Sequence, residues 1–165
     1  FKPKVEALLK KHKVLNTDKL SALRQNAIAC AALHYCALSF AEAARYLPVF
    51  NDKLDAILKE NGLFDTPISI RMTGCPNGCG RPFLAEIAMV GRAPGRYNLY
   101  LGASFTGDRL NKLYKEMLNE EEILNELRPL LADYAKNRIT DEHFGDFVIR
   151  KGYIKATTAG LNFHE

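Results

Sequence analysis

The sequence predicts an α/β fold of the α+β kind, a mixed β-sheet with covering helices. Short β-rich runs occupy the middle of the chain, amphipathic helical runs flank them, and neither an internal repeat nor a long flexible linker intervenes. With 165 residues, 47% of them apolar and 25% charged, the chain is long enough to bury one core. A single domain over residues 1–165 is expected, with residues 1–19 as a lead-in helix and 156–165 as a flexible tail.

Residues 3–13 read as a short helix, because Val5, Leu8 and Leu9 share one face and Pro3 suits an early helical position. Thr17 or Asp18 is expected to cap a turn containing Leu20 and Leu23. "NAIACAALHYC" has no firm period and reads as an irregular segment near the core. Ser39 and Glu42 have capping-box spacing. Phe40, Ala43, Ala44, Leu47, Phe50, Leu54, Ile57 and Leu58 then follow at helical spacing towards Gly62, and Pro48 is expected to kink or divide that helix.

"TPISIRM", "LAEIAMVG" and "RYNLYLGA" are strand candidates, the last two divided by the turn "GRAPG". Tyr97, Tyr100 and Phe105 read as strand packing. "NEEEILNELRPLLADYAKNR" is a helix with Ile123, Leu124, Leu127, Leu130, Leu131 and Tyr134 on its buried side. Its acidic start suits a helix N-terminus, and Pro129 is expected to bend or break it. "DEHFGDFVIRKGYIKA" is expected to be a strand or strand pair.

No apolar run approaches membrane-spanning length and no signal peptide opens the chain, so a cytoplasmic protein without a membrane partner is expected. The first residue is Phe1 and not Met, which reads as a fragment or a processed product. The net charge of +4 is modest and the lysines concentrate in the first twenty residues, which favours a solvated helix face over nucleic-acid binding. Between positions 71 and 96, Arg71, Arg81, Arg92 and Arg96 stand against Glu86 alone, a balance that suits an anionic partner.

The chain has four cysteines in two pairs, Cys30 and Cys36 separated by five residues and Cys75 and Cys79 by three. A core of this size needs no disulfide staples, so metal or redox chemistry is the more natural use. Thiolates suit iron–sulfur clusters, zinc or copper(I). Structural zinc sites favour tighter spacing than the first pair has, whereas a cubane tolerates broad, unequal gaps. Gly74, Gly78 and Gly80 let backbone N–H groups approach bound sulfur, and Pro76 restricts the loop between the thiols. Cys30, between alanines, equally suits core packing. Spacing alone leaves cluster, zinc, packing and thiol redox chemistry open. His12, His34, His143 and His164 lack metal-like mutual spacing.

"RQNAIACAALHYCALSFAEAARYLP", "TGCPNGCGRPFLAEIAMVG", "APGRYNLYLG" and "EHFGDFVIRKGYI" together resemble the carboxy-terminal part of the nitrite and sulfite reductase family, which holds siroheme and a 4Fe-4S cluster. The likeness runs from about residue 20 to about residue 155 and looks closer to the sulfite branch. It implies that Cys30, Cys36, Cys75 and Cys79 ligate the cluster and that the Cys79 sulfur bridges it to the siroheme iron. Thr73, Asn77, Gly78 and Arg81 would line the loop against siroheme or cluster. Arg92 and Arg96 are candidates for siroheme carboxylates or for salt bridges.

The same resemblance implies sulfite as substrate, reduced to sulfide in sulfate assimilation with six electrons from NADPH. A flavoprotein partner carrying FAD and FMN would deliver them. N-terminal domains of the same hemoprotein would supply the sulfite-binding residues, so no catalytic residue is assigned in this chain and the fragment alone is expected to be inactive. A nitrite reductase domain and a four-cysteine zinc module are the alternatives. The family often has proline or threonine where His34 and Tyr35 stand here, and those two residues have no assigned role.

Overall fold

The apolar runs pair into a five-stranded sheet whose spatial order follows the sequence: β1 (Ala27–Ala29), β2 (Ile70–Thr73), β3 (Ile87–Ala93), β4 (Arg96–Leu101) and β5 (Lys112–Leu118). The computed structural model describes residues 1–14 and 19–161. Strands β1, β2 and β3 run parallel, and β4 and β5 continue the sheet antiparallel. The helices are α1 (Lys2–His12), α2 (Ala22–Gln25), α3 (Leu47–Glu60), α4 (Glu120–Asn137) and α5 (Phe144–Arg150). A parallel pair needs a crossover, and α3 lies in the one that joins β1 to β2. The expected mixed sheet with helical cover is the fold observed.

Period-two alternation sorts the strands onto two faces. Ile70, Met72, Ile87, Met89, Leu99 and Leu101 join the main core with Leu54 and Ile57 of α3, Leu127 and Leu131 of α4, and Phe147 of α5. On the opposite face Ala88, Val90 and Tyr100 form a smaller cluster with Phe83 and Leu113. Arg71 pairs with Ala88 and Thr73 with Val90, so the pleat directs both polar residues to that second face.

Several elements differ from their sequence reading. Helix α3 starts at Leu47 with Pro48 in its first turn, where a missing N–H breaks no intrahelical bond. Residues 40–46 are therefore not helical, and Ser39 is not an N-cap: its hydroxyl donates to the Ala41 carbonyl at 3.2 Å. The capping box instead joins Asn119 and Glu122 at the start of α4. That helix passes Pro129 without a break. The exposed Pro129 sits beside buried Leu127, Leu130 and Leu131, whose packing outweighs the lost hydrogen bond.

The run "DEHFGDFVIRKGYIKA" contains helix α5 and not a strand, because Phe144, Phe147 and Val148 bury one helical stripe. Within the segment read as irregular, three residues form the edge strand β1. Strand β5, polar and half-exposed, was not expected at all. Helix α1 buries no residue, and Val5 and Leu8 remain exposed. The expected cap at Thr17 or Asp18 lies outside the described residues, as do positions 162–165 of the expected tail; Thr157 donates to the Asn111 carbonyl at 3.0 Å. Among the described residues no helix is long and apolar enough to cross a membrane.

A buried carboxylate joins sheet to helices. Glu86 is 0% exposed; one oxygen accepts from the Ser69 N–H at 2.8 Å and the Ser69 hydroxyl at 3.2 Å, the other from the Gly145 N–H at 2.8 Å. Burial pushes its carboxyl above the ordinary glutamate value, and the N–H donors of Gly145 and Ser69 pull it back. A side chain on Gly145 would place its Cβ 1.8 Å from the Ala103 carbonyl, so only glycine lets α5 close there. Glu86→Ala strands two buried N–H donors, and urea unfolding is expected to show a loss of about 3 kcal/mol or more.

A two-loop cysteine site at the ends of parallel strands

Cys30 follows the last residue of β1, and Cys75 stands two residues past the end of β2. These strands are adjacent and parallel, with Ala29 beside Met72, so both cysteine loops leave the same edge of the sheet side by side. The carboxyl ends of parallel strands are where open α/β sheets place their ligands. The Cys30 N–H donates to the Met72 carbonyl at 3.2 Å and its carbonyl accepts from Ala44 at 3.0 Å, which holds the thiol's backbone from both sides.

Gly74 joins the loops. Its N–H donates to the Cys30 sulfur at 3.3 Å, and its carbonyl accepts from Phe40 at 2.8 Å and Ala41 at 3.1 Å. A Cβ on Gly74 would stand 1.9 Å from the Ser39 hydroxyl oxygen, 2.5 Å from the Ala41 carbonyl oxygen and 2.8 Å from the Ala32 side chain. Gly80 closes the other side, where a Cβ would meet the Thr73 methyl at 3.0 Å and the Cys30 nitrogen at 3.3 Å. The segment carrying Cys36 is wrapped onto this seam by turns from Cys36 to Ala32 (2.8 Å) and from Ser39 to Cys36 (3.2 Å). Tyr97 of β4 donates to the Glu42 carbonyl at 2.9 Å and ties the same segment to the sheet.

The four cysteines are free thiols: Cys75 is buried, Cys30 and Cys36 are half-buried, and Cys79 is exposed. Among the described residues no three or more His, Cys, Asp or Glu side chains gather closely enough to hold one metal ion. What the structure assembles is a pair of interlocked loops bearing thiols. Cys79 sits in a turn closed by the Arg81 N–H on the Gly78 carbonyl at 2.7 Å, with Gly78 at φ 75° and Arg81 at φ 49°. Asn77 and Arg81 are exposed and Gly78 is half-buried, all three in that loop. Thr73, at the end of β2, is 1% exposed and its hydroxyl is buried with no hydrogen-bond partner. Such an orphan is costly unless a bound group satisfies it.

The positive charge around the loop is only partly compensated. Arg96 pairs with Glu122 at 2.9 Å, so its salt-bridge reading holds. Among the described residues no ion pair involves Arg71, Arg81 or Arg92. Arg92 lines a cleft of about 280 Å³ with Pro76, Asn98, Tyr100 and Glu116, next to the Cys75 loop. His34 is exposed and lies 3.8 Å from Glu42, and Tyr35 is exposed on the Cys36 segment. Sequence reasoning missed the role of residues 39–44 as a wall against Gly74. It also missed the contact that Arg71 makes with the Cys79 turn; the alternation of Arg71 and Thr73 along one strand was the available signal.

No family model matches the chain. It is 59% identical over 164 residues to the sulfite reductase [NADPH] hemoprotein beta-component of Geobacillus kaustophilus (strain HTA426), covering 99% of this chain and 29% of that protein. To the protein of the same description from Bacillus subtilis (strain 168) it is 56% identical, again over 99% of this chain and 29% of that one. The chain thus spans less than a third of the length of these relatives. In fold it is similar to the Mycobacterium tuberculosis NirA protein, with a TM-score of 0.70 and 23% identity over 90% of this chain and 30% of that one.

The seam between the loops is sensitive to volume. A Cβ on Gly91 of β3 would lie 2.4 Å from the Gly74 carbonyl oxygen and 2.7 Å from the Ala41 side chain, whereas one on Gly160 meets nothing within 4 Å. Gly91→Ala is expected to lower stability by about 2 kcal/mol or more in thermal or urea unfolding. Gly160→Ala is expected to stay within about 0.5 kcal/mol of the unaltered chain.

Proposed function

We propose, from this chain's membership as a segment in the sulfite reductase hemoprotein beta-component family, that Cys30, Cys36, Cys75 and Cys79 ligate a 4Fe-4S cluster and that Cys79 also carries the siroheme iron. The observation that carries the reading is the interlocking of the two cysteine loops at the carboxyl ends of β1 and β2, through Gly74 and Gly80. The buried, unpartnered Thr73 hydroxyl and the buried, unpartnered Arg71 Nε support it as well.

When bound, these groups supply stored electrons and a reacting iron for the six-electron reduction of sulfite to sulfide. The residues of this chain hold and orient. The Gly74 N–H reaches the Cys30 sulfur and lowers the charge that this thiolate presents. Thr73, Asn77, Gly78 and Arg81 face the bound group from the Cys75–Cys79 loop, with Arg92 and Arg81 as cations for an anionic macrocycle. The whole chain acts as one cluster- and siroheme-ligating unit. The remainder of the longer hemoprotein binds sulfite, and a flavoprotein carrying FAD and FMN passes electrons from NADPH, in the cytoplasm. The segment alone is then inactive.

Anaerobically purified full-length hemoprotein is expected to contain about five irons per chain, about four from the cluster and one from siroheme, with about four acid-labile sulfides. Cys30→Ser there should remove the cluster and leave siroheme bound, while Cys79→Ser should remove the cluster and also change the siroheme absorption spectrum. One zinc per chain without sulfide contradicts the reading, as does a Cys79→Ser protein with an unchanged siroheme spectrum and intact sulfite reduction.

A further inference from the structure

Arg71 is placed where a guanidinium gains little from the protein itself. It is half-buried on the second face of β2, its Nη1 donates to the Arg81 carbonyl at 2.7 Å, and its Nε is buried with no hydrogen-bond partner. Burial pushes its guanidinium below the ordinary arginine value, and the like charge of Arg81 pushes the same way. Neither arginine has a carboxylate in ion-pair contact among the described residues. Two cations held together, one of them partly desolvated, call for an anion that the protein chain does not provide.

The strut that fixes Arg71 leads to the fourth thiol. Arg81 closes the turn around Cys79 and Gly80 through its own N–H, and its carbonyl receives the Arg71 guanidinium. The cation is thereby held in a constant relation to Cys79, from a strand and not from a mobile loop. We propose that Arg71 is a positioning residue whose fixed positive charge faces the cysteine-bound cluster and raises its reduction potential, with the Arg81 carbonyl as the strut. The proposal rests on the cluster reading above. Reduction adds an electron to a centre already negative, so a nearby fixed cation in a partly dry site stabilises the reduced form more than the oxidised one. Lysine keeps the charge but not the planar fork of donors, and glutamine loses the charge.

The test uses the full-length hemoprotein, unaltered and as Arg71→Lys and Arg71→Gln, purified anaerobically. Iron and sulfide are counted first. An unaltered protein without about four sulfides, and about four irons beyond the one in siroheme, sinks the cluster reading, independently of Arg71. With the cluster present, its one-electron reduction is titrated by electron paramagnetic resonance. Arg71→Gln is expected to shift the equilibrium about tenfold towards the oxidised form, about 59 mV lower in potential. Arg71→Lys is expected to stay within about threefold of the unaltered protein. An unchanged equilibrium in Arg71→Gln overturns the proposal, and so does an equal shift in both variants, which assigns the effect to the hydrogen bond and not to the charge. If Arg71→Gln loses its iron, Arg71→Lys decides: iron retained with a near-normal equilibrium supports the proposal, and an empty Arg71→Lys protein overturns it.

Discussion

Everything at the candidate site depends on the close approach of backbone to backbone at Gly74. Its carbonyl takes the N–H groups of Phe40 and Ala41, its own N–H reaches the Cys30 sulfur, and Gly91 of β3 presses on it from the sheet. No other residue type fits among those atoms. The consequence is that cysteines more than forty positions apart in sequence leave the sheet through one packed seam, held by hydrogen bonds and steric contact without a covalent link. The thiols are a product of that seam, since parallel pairing of β1 and β2 decides that both loops emerge at the same edge.

The polar accounts of the two sheet faces differ in an informative way. Towards the helices the buried carboxylate of Glu86 has donors for both oxygens, and the core around it is closed. Towards the cysteine loop the Thr73 hydroxyl and the Arg71 Nε are both buried without partners. Folded proteins satisfy nearly all such groups, so two unpartnered polar atoms on the strand that leads into the Cys75 loop call for an explanation. The negatively charged cofactor proposed above would answer both in charge and hydrogen bonding.

Much of this was legible in the sequence, for reasons that can be named. The apolar stripes of α4 and the later part of α3 read correctly because their burial follows the helical period, and β2, β3 and β4 because their β-prone runs are buried on both faces and bounded by turn residues. The cysteine loop was legible from its glycines. Segment 39–46 was misread because its apolar residues happen to fall at helical spacing, while the hydrogen bonds that hold it run to Gly74, thirty or more positions away. Phe147, Val148 and Ile149 suggested a strand by composition, and tertiary packing on Tyr134 made a helix of them. Strand β5 carried too little apolar pattern to be seen, since an edge strand with half-exposed side chains needs none. The alternation of Arg71 and Thr73 gives the strand face of Arg71, but its link to the Arg81 carbonyl joins strand to turn and goes beyond that pattern.

The central claim is that two interlocked loops deliver four thiolates to one inorganic core. Anomalous diffraction at the iron edge from crystals of the full-length protein tests it most directly. The account predicts a compact iron peak within bonding distance of the sulfurs of Cys30, Cys36, Cys75 and Cys79, with a second iron centre joined through Cys79. A crystal of the active protein in which those sulfurs lie apart from iron, or are paired as disulfides, contradicts it.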